Sequence, residues 1–360
     1  MEENMGNWEE NVRKVVPYVP GEQPKAKNVI KLNTNENPYP PSPKVLECLK
    51  EQDFYGTLRK YPDPTIGSLT EAISGSYGVP ADQIFVGVGS DDVLAMSFLA
   101  FFNSKKPILF ADITYSFYDV WAEEFKIPYE TVPLKEDFSL DLEGFKKDNG
   151  GIVIANPNAP TGALVETRFL EDIIKNNTDS VVIIDEAYVD FGGESALPLI
   201  EKYENLLVVQ TFSKSRSMAG SRIGFAFGSK KLIKYLQDVK YSFNSYTIDA
   251  VTMALGCASM EDEAYFKECC DRIVETREWS KKELIKRGFN FCDSKTNFIF
   301  ASHKSVPAKE IFEALKKENI YVRYFPKPRI DNYLRITIGT REEMERLFAF
   351  LDEFLRGRNA

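Results

Sequence analysis

Between residues 84 and 227 the chain returns again and again to short apolar runs, and this recurrence restricts its fold more than any other feature. The runs are Ile84–Val88, Pro107–Phe110, Gly151–Ala155, Val181–Ile184, Leu206–Gln210 and Ile223–Phe227. Each is too short for a helix, carries no polar alternation and is bounded by breakers, which suits strands buried on both faces. Helix-like segments separate several of them, beginning with Asp91 to Phe102. Such alternation predicts an α/β fold, a large domain whose mostly parallel sheet is covered by helices on both sides.

The flanking regions differ. Residues 1–43 are rich in Pro, Asn, Gly and charge and read as an irregular N-terminal arm. The large domain is expected over 44–245. Near Ser242 to Thr247 the chain turns polar and aromatic, and a long charged helix is expected from Asp262 to Arg287. A strand at Asn297 to Ala301, a helix at Ala308 to Glu318, strands near Tyr321 and Leu334 and a last helix from Arg341 complete the pattern. That order predicts a smaller α+β C-terminal domain over 246–360. A chain of 360 residues has ample length for both units.

A net charge of −9 without basic clusters argues against nucleic acid as a partner. The first residues are acidic and lack the blocks of a signal peptide. The most apolar helix-like run, Val93 to Phe102, is about ten residues, well short of the roughly 20 needed to cross a bilayer. Five cysteines without Cys-x-x-Cys spacing read as reduced thiols in a cytoplasmic protein, with no metal site expected. The single histidine, His303, reads as a surface loop residue.

Five stretches carry candidate chemistry. The first is Thr211-Phe-Ser-Lys-Ser-Arg-Ser-Met-Ala-Gly-Ser-Arg-Ile-Gly224. A lysine that forms an imine must be fixed and partly desolvated, and Lys214 follows a short apolar strand. The hydroxyls of Thr211 and Ser213 and the guanidinium of Arg222 are what a phosphate needs for charge-assisted hydrogen bonds. Alone, Lys214 would be one surface lysine among many. The second stretch, Asp185-Glu-Ala-Tyr188, puts a carboxylate at the end of a buried strand, where parallel sheets place ligands. In isolation it reads equally as a capping Asp and a packed Tyr. The third, Gly87-Val-Gly-Ser-Asp-Asp92, turns from strand into helix with Gly89, Ser90 and Asp91 at the junction, where backbone amides can cradle a phosphate. Asp92 stands where the dinucleotide fingerprint has its third glycine, so that fingerprint is absent. The fourth is the loop Asn156-Pro-Asn-Ala-Pro-Thr-Gly162, whose asparagines can offer amides. The fifth holds Tyr115, an aromatic face on which a flat ring can stack.

In this order and spacing the five stretches resemble the fold-type I, class I/II pyridoxal-phosphate-dependent aminotransferases, over nearly the whole chain. The resemblance implies that Lys214 carries the cofactor as a Schiff base and that Asp185 pairs with its pyridine nitrogen. Tyr188 and Asn158 would contact the ring hydroxyl, and Tyr115 would stack on the ring. Gly89, Ser90, Asp91, Thr211, Ser213 and Arg222 would surround its phosphate. The sequence departs from the family at Ala159, where Asn usually precedes Pro-Thr-Gly. Tyr61, in Arg59-Lys-Tyr-Pro-Asp-Pro64, matches a tyrosine that reaches the neighbouring subunit's cofactor, which implies a homodimer. Leu32-Asn-Thr-Asn-Glu-Asn-Pro38, Val322-Arg323 and Leu334-Arg-Ile-Thr-Ile-Gly-Thr340 look like the subgroup that works on histidinol phosphate with glutamate and 2-oxoglutarate. There Arg323 and Arg335 would hold the substrate phosphate, with Tyr18 and Asn35 also substrate-binding. An aromatic amino-acid aminotransferase and a phosphothreonine decarboxylase share the scaffold and stay open as alternatives. A non-catalytic regulator is disfavoured, because the arm is too short and acidic to be a DNA-binding domain.

Overall fold

The structure is a computed structural model that describes residues 8–26 and 28–359. Among the described arm residues the regular elements are a 3-10 turn at Trp8–Asn11 and β1 (Ile30–Leu32), followed by α1 (Pro43–Glu51) and α2 (Gly67–Tyr77). Then come β2 (Ile84–Gly87), α3 (Ser90–Phe101), β3 (Ile108–Ala111), α4 (Tyr118–Phe125), β4 (Tyr129–Val132), β5 (Gly151–Ala155), α5 (Thr167–Asn176), β6 (Val182–Asp185), β7 (Leu206–Thr211) and β8 (Gly224–Gly228). The chain continues through α6 (Lys230–Phe243), α7 (Ala250–Met260) and α8 (Glu263–Lys286). It ends with β9 (Phe289–Phe291), β10 (Phe298–His303), α9 (Ala308–Lys317), β11 (Ile320–Tyr324), β12 (Leu334–Thr337) and α10 (Arg341–Asn359).

Seven strands form the large sheet in the order β2-β8-β7-β6-β5-β3-β4. All its pairings are parallel except the two that β8 makes. The continuous apolar runs have a direct cause. Along β5 the side chains of Ile152 and Ile154 enter the core on one face, and Val153 and Ala155 enter the core on the other. Helices α1, α2, α5 and α7 pack the first face, while α3, α4 and α6 pack the second. In α5, Leu170, Ile173 and Ile174 recur at helical spacing and are fully buried. Burying one such side chain stabilises the fold by about 1.5–3 kcal/mol.

The second sheet runs β1-β11-β12-β10-β9, antiparallel except where β1 joins β11 in parallel. Three arm residues thus become an edge strand, with Ile30 opposite Ile320. Three residues carry too little periodicity to announce a strand, and their pairing partner lies far along the chain. Helix α7 and strand β4 also differ from the sequence expectation. Helix α7 begins at Asp249, whose carboxylate accepts from the amides of Val251 and Thr252. Its Met253, Leu255 and Ala258 lie in the core of the large sheet. His303 is not a surface loop residue. It is buried on β10, with Nε2 against the Arg287 carbonyl and Nδ1 accepting from the amide of Val306. Burial, outweighing the Arg287 carbonyl, holds it below the usual histidine range.

Candidate active site

The carboxyl ends of β5, β6 and β7 converge on a cavity of about 160 Å³, the position in which open parallel sheets leave a crevice. Eight of the residues predicted for the site line it: Ser90, Asp91, Tyr115, Asp185, Tyr188, Ser213, Lys214 and Arg222. They come from four of the five stretches, brought together by the sheet order.

Asp185 ends β6 and lies at 5% exposure. The Tyr118 hydroxyl donates to its Oδ2 at 2.7 Å and the Ala187 amide to its Oδ1 at 3.2 Å. Burial pushes the carboxyl up to about 6, against the pull of these two donors and of Lys214. The Tyr118 phenol is pushed well above its ordinary value by burial and by Asp185, so it remains a donor. Tyr118 was not anticipated as a site residue, since its motif position reads as packing and only the fold brings it under Asp185.

The junction of β2 and α3 depends on two glycines. Gly89 has a φ of +84°, and a Cβ there would stand 2.4 Å from Arg222 Nη2. A Cβ on Gly224 would stand 2.2 Å from the Ser90 nitrogen. Both therefore allow the segment leading into β8 to press the Arg222 guanidinium against the start of α3. Arg222 itself has a φ of +54° in the left-handed region, which costs a side-chain residue about 1–2 kcal/mol. The strain puts its guanidinium within 3.3 Å of Ser213 Oγ and 3.2 Å of Asp91 Oδ2. The α3 N-terminus has no side-chain cap, and Tyr115 donates to Asp91 Oδ1 at 2.7 Å. Thr211 lies beneath this cradle, its hydroxyl tied to the Ile223 carbonyl and the Ser213 amide.

Lys214 Nζ sits 3.3 Å from the Thr34 carbonyl and 5.7 Å from the centroid of the Tyr188 ring. Asn37 fixes its backbone by donating to the carbonyls of Lys214 and Ser215, both at 3.1 Å. Thr34 and Glu36 also line the cavity. Burial pushes Glu36 upward, but bonds from Lys31 and Thr34 outweigh it and leave the carboxyl below its usual range. The arm motif thus supplies a cavity wall, a role its composition did not reveal.

Two predicted residues are placed otherwise. Asn158 does not line the cavity. Its amide donates to the Ile113 carbonyl and to Thr161, and its oxygen accepts from Thr114, so its bonding capacity is spent bracing the loop. Ala159 lines the cavity in its place. Asn35 does not line it either. It is 1% exposed and donates to the Tyr188 hydroxyl at 2.9 Å from behind.

Beside the cavity, Arg323 on β11 and Arg335 on β12 are direct cross-strand partners. Like charges in that register repel unless something anionic lies between them. Among the described residues neither arginine has an ion pair with a carboxylate. Arg335 donates to the Asn33 carbonyl, and its Nε is buried without a partner. Burial pulls it below the ordinary arginine value, opposed by the Tyr188 hydroxyl and reinforced by Arg323. Phe325 lies between the two, with its centroid 5.5 Å from each guanidinium carbon. Arg323 donates to the carbonyls of Val19 and Pro20, and the adjacent Tyr18 stacks on Phe117 at 4.2 Å. Tyr61 is elsewhere, 82% exposed and stacked on Tyr246 at 4.6 Å. Among the described residues no cluster of side chains could hold a metal ion, and no helix is long and apolar enough to cross a membrane.

The family model for aminotransferase class I and II matches residues 27–351. The chain belongs to this family. It is 52% identical to the histidinol-phosphate aminotransferase of Lactococcus lactis subsp. cremoris, over 98% of this chain and 99% of that one. It is 54% identical to that of Clostridium beijerinckii, over 94% of each. The solved structure of histidinol-phosphate aminotransferase from Sinorhizobium meliloti, in complex with pyridoxal-5′-phosphate, matches with a TM-score of 0.85. That match covers 95% of this chain and 96% of the other at 24% identity, a likeness of fold.

As an aminotransferase of this class the chain works with pyridoxal phosphate, and the cavity fits that group on its own evidence. A buried carboxylate held near 6 lacks the cation that a protonated pyridine nitrogen would bring. An uncapped helix start beside Arg222 and Ser213 suits a phosphate, and Lys214 supplies the amine.

Proposed function

We propose that the chain exchanges an amino group between histidinol phosphate and 2-oxoglutarate, yielding imidazole acetol phosphate and glutamate in histidine biosynthesis. The observation that carries the choice of substrate is the register pair Arg323–Arg335, two guanidiniums beside the Lys214 cavity without carboxylate partners among the described residues. A doubly charged phosphate is the ligand that such a pair fits best, since it can accept from both forks at once. The relatives at 52% and 54% identity support the same reading.

In this reading the cofactor, when bound, supplies an electron sink for the carbanion that proton loss from the substrate creates. The chain's own residues do the rest. Asp185 would hold the pyridine nitrogen protonated, with Tyr118 holding Asp185. Tyr115 would cover one face of the ring, while Gly89, Ser90, Asp91, Thr211, Ser213 and Arg222 would secure the phosphate end. Tyr188 would donate to the ring oxygen. Lys214 would anchor the cofactor, and its amine would carry the proton from the substrate's Cα. Arg335 serves the substrate phosphate in one half-reaction and a carboxylate of glutamate in the other, with Tyr18 and Arg323 beside it.

A cytoplasmic homodimer completes the reading. Tyr61 is exposed together with Tyr55, Leu58 and Phe243, an apolar surface that suits burial against a second copy. There Tyr61 would reach the phosphate of the neighbouring protomer's cofactor. The division into an arm, a large domain and a small domain is likewise proposed. The Asp249-capped α7 falls with the large unit by its packing, and β1 with the small one.

The test is the visible absorbance of the cofactor-loaded protein during titration with histidinol phosphate, phenylalanine, threonine phosphate and glutamate. Bleaching at the lowest concentration by histidinol phosphate is the expected result. A stronger response to phenylalanine would favour an aromatic substrate, and carbon dioxide release from threonine phosphate would favour a decarboxylase.

A further inference from the structure

With Asn158 turned into its loop and Ala159 at the cavity wall, Tyr188 is the remaining predicted hydroxyl or amide contact for the cofactor's ring oxygen. The direction in which its proton points therefore matters, and buried neighbours settle it. Thr337 Oγ1 accepts from the backbone amide of Asn35 at 3.1 Å and donates its own proton to Asn35 Oδ1 at 3.0 Å. With Oδ1 thus committed as an acceptor, the Asn35 amide nitrogen faces Tyr188 and donates to it at 2.9 Å. A phenol oxygen that already accepts must send its single proton elsewhere. Among the described residues Tyr188 makes no hydrogen bond to a protein acceptor, and its ring lines the cavity.

The relay is held rigidly. Asn35 and Thr337 are 1% and 2% exposed. Asn297 donates to the Asn35 carbonyl at 3.0 Å, and Phe298 packs edge-on against the Tyr188 ring at 5.1 Å. Asn35 also has a φ of +57°, a left-handed conformation that asparagine tolerates better than most residues.

We propose that Asn35 and Thr337 are positioning residues that orient the Tyr188 hydroxyl, holding its proton out into the cavity as a donor to the anionic ring oxygen of the cofactor. The proposal rests on the reading of Tyr188 given above. The titratable groups facing Tyr188 are Lys214, Arg335, Tyr115 and Tyr118, with Asp185 and Glu36 acting on Lys214, and none of them takes part in the relay.

The experiment is a pH titration of the visible band of the cofactor-loaded protein, independent of turnover. A proton donated to the ring oxygen offsets its charge and so lowers the proton affinity of the cofactor–Lys214 linkage. Tyr188→Phe should raise the titration midpoint by on the order of one pH unit, the equivalent of one charge-assisted hydrogen bond. Asn35→Ala and Thr337→Val should raise it by a smaller amount, and Thr337→Ser, which keeps the hydroxyl, should restore the original midpoint. In a Tyr188→Phe background Asn35→Ala should add nothing. If Asn35→Ala does not fold, the Thr337 pair still decides. Unchanged midpoints in Asn35→Ala and Thr337→Val, or an equal Asn35→Ala shift with and without the Tyr188 hydroxyl, would overturn the relay. No shift in Tyr188→Phe would instead overturn the reading of Tyr188, and no visible band in the parent protein would overturn that of Lys214.

Discussion

The two ends of the site are built on different principles. At the large sheet, the main polar groups around the cavity are tied to protein side chains: Asp185 to Tyr118, Asp91 to Tyr115 and Arg222, and Tyr188 to Asn35. At the small sheet, Arg323 and Arg335 face each other across strands, and among the described residues their hydrogen-bond acceptors are backbone carbonyls alone. The first end is preorganised for a resident group that stays through many turnovers. The second is left electrostatically incomplete, so that a transient anion completes it. A site that must release its ligand gains from such incompleteness, because binding energy then appears only while the substrate is present.

Substitutions should expose the difference, beginning with the largest effect. Lys214→Ala removes both the anchor and the proton carrier, and should lower kcat by roughly 10⁴-fold or more while the visible band disappears. Arg335→Ala should raise the KM for histidinol phosphate by on the order of 100-fold, the loss of charge-assisted bonds worth about 1.5–3 kcal/mol. Steady-state kinetics separates the two, since the cofactor spectrum should be unchanged in Arg335→Ala.

The buried end makes a pH prediction. Asp185 has a folded value of about 6 against an ordinary 3.8, so the folded state binds its proton more tightly than the unfolded chain does. Its destabilising contribution is therefore absent below about 3.8, grows as pH rises and is complete above about 6. Cofactor-free Asp185→Asn should be more stable than the parent at pH 8 by on the order of 2 kcal/mol, and equally stable at pH 4. Urea unfolding at the two pH values checks this, and a constant difference would contradict the assignment of the shift to Asp185.

Much of this was legible in the sequence, and the omissions share a cause. The apolar runs announced the large sheet because burial on both faces leaves a continuous pattern, as in Gly151 to Ala155. The chemistry at Lys214, Asp185 and Arg222 was legible because each sits at the end of such a run. Tyr118, the β1 strand, the buried His303 and the true placement of Asn35 and Asn158 were not. Except for His303, which is buried between its own strand and the Arg287 and Val306 backbones, each depends on a partner far along the chain, such as Tyr188 for Asn35 at a separation of 153 residues. Local periodicity carries no information about partners at that distance. The register of Arg323 with Arg335 lay between these cases: both residues were visible as candidates, but their direct opposition was not.

A smaller effect should come from the strap at Arg323. Replacing it with Lys keeps the charge and loses the fork that grips the Val19 and Pro20 carbonyls, so a rise in KM of about tenfold or less is expected.

The most direct test of the central claim compares histidinol phosphate with histidinol, which lacks only the phosphate, as amino donors for the parent protein and for Arg323→Ala and Arg335→Ala. If the arginine pair reads the phosphate, the parent should prefer histidinol phosphate strongly in kcat/KM. Each variant should lose most of that preference while handling histidinol about as well as the parent does. A preference that survives in both variants would contradict the account and place phosphate recognition elsewhere in the molecule.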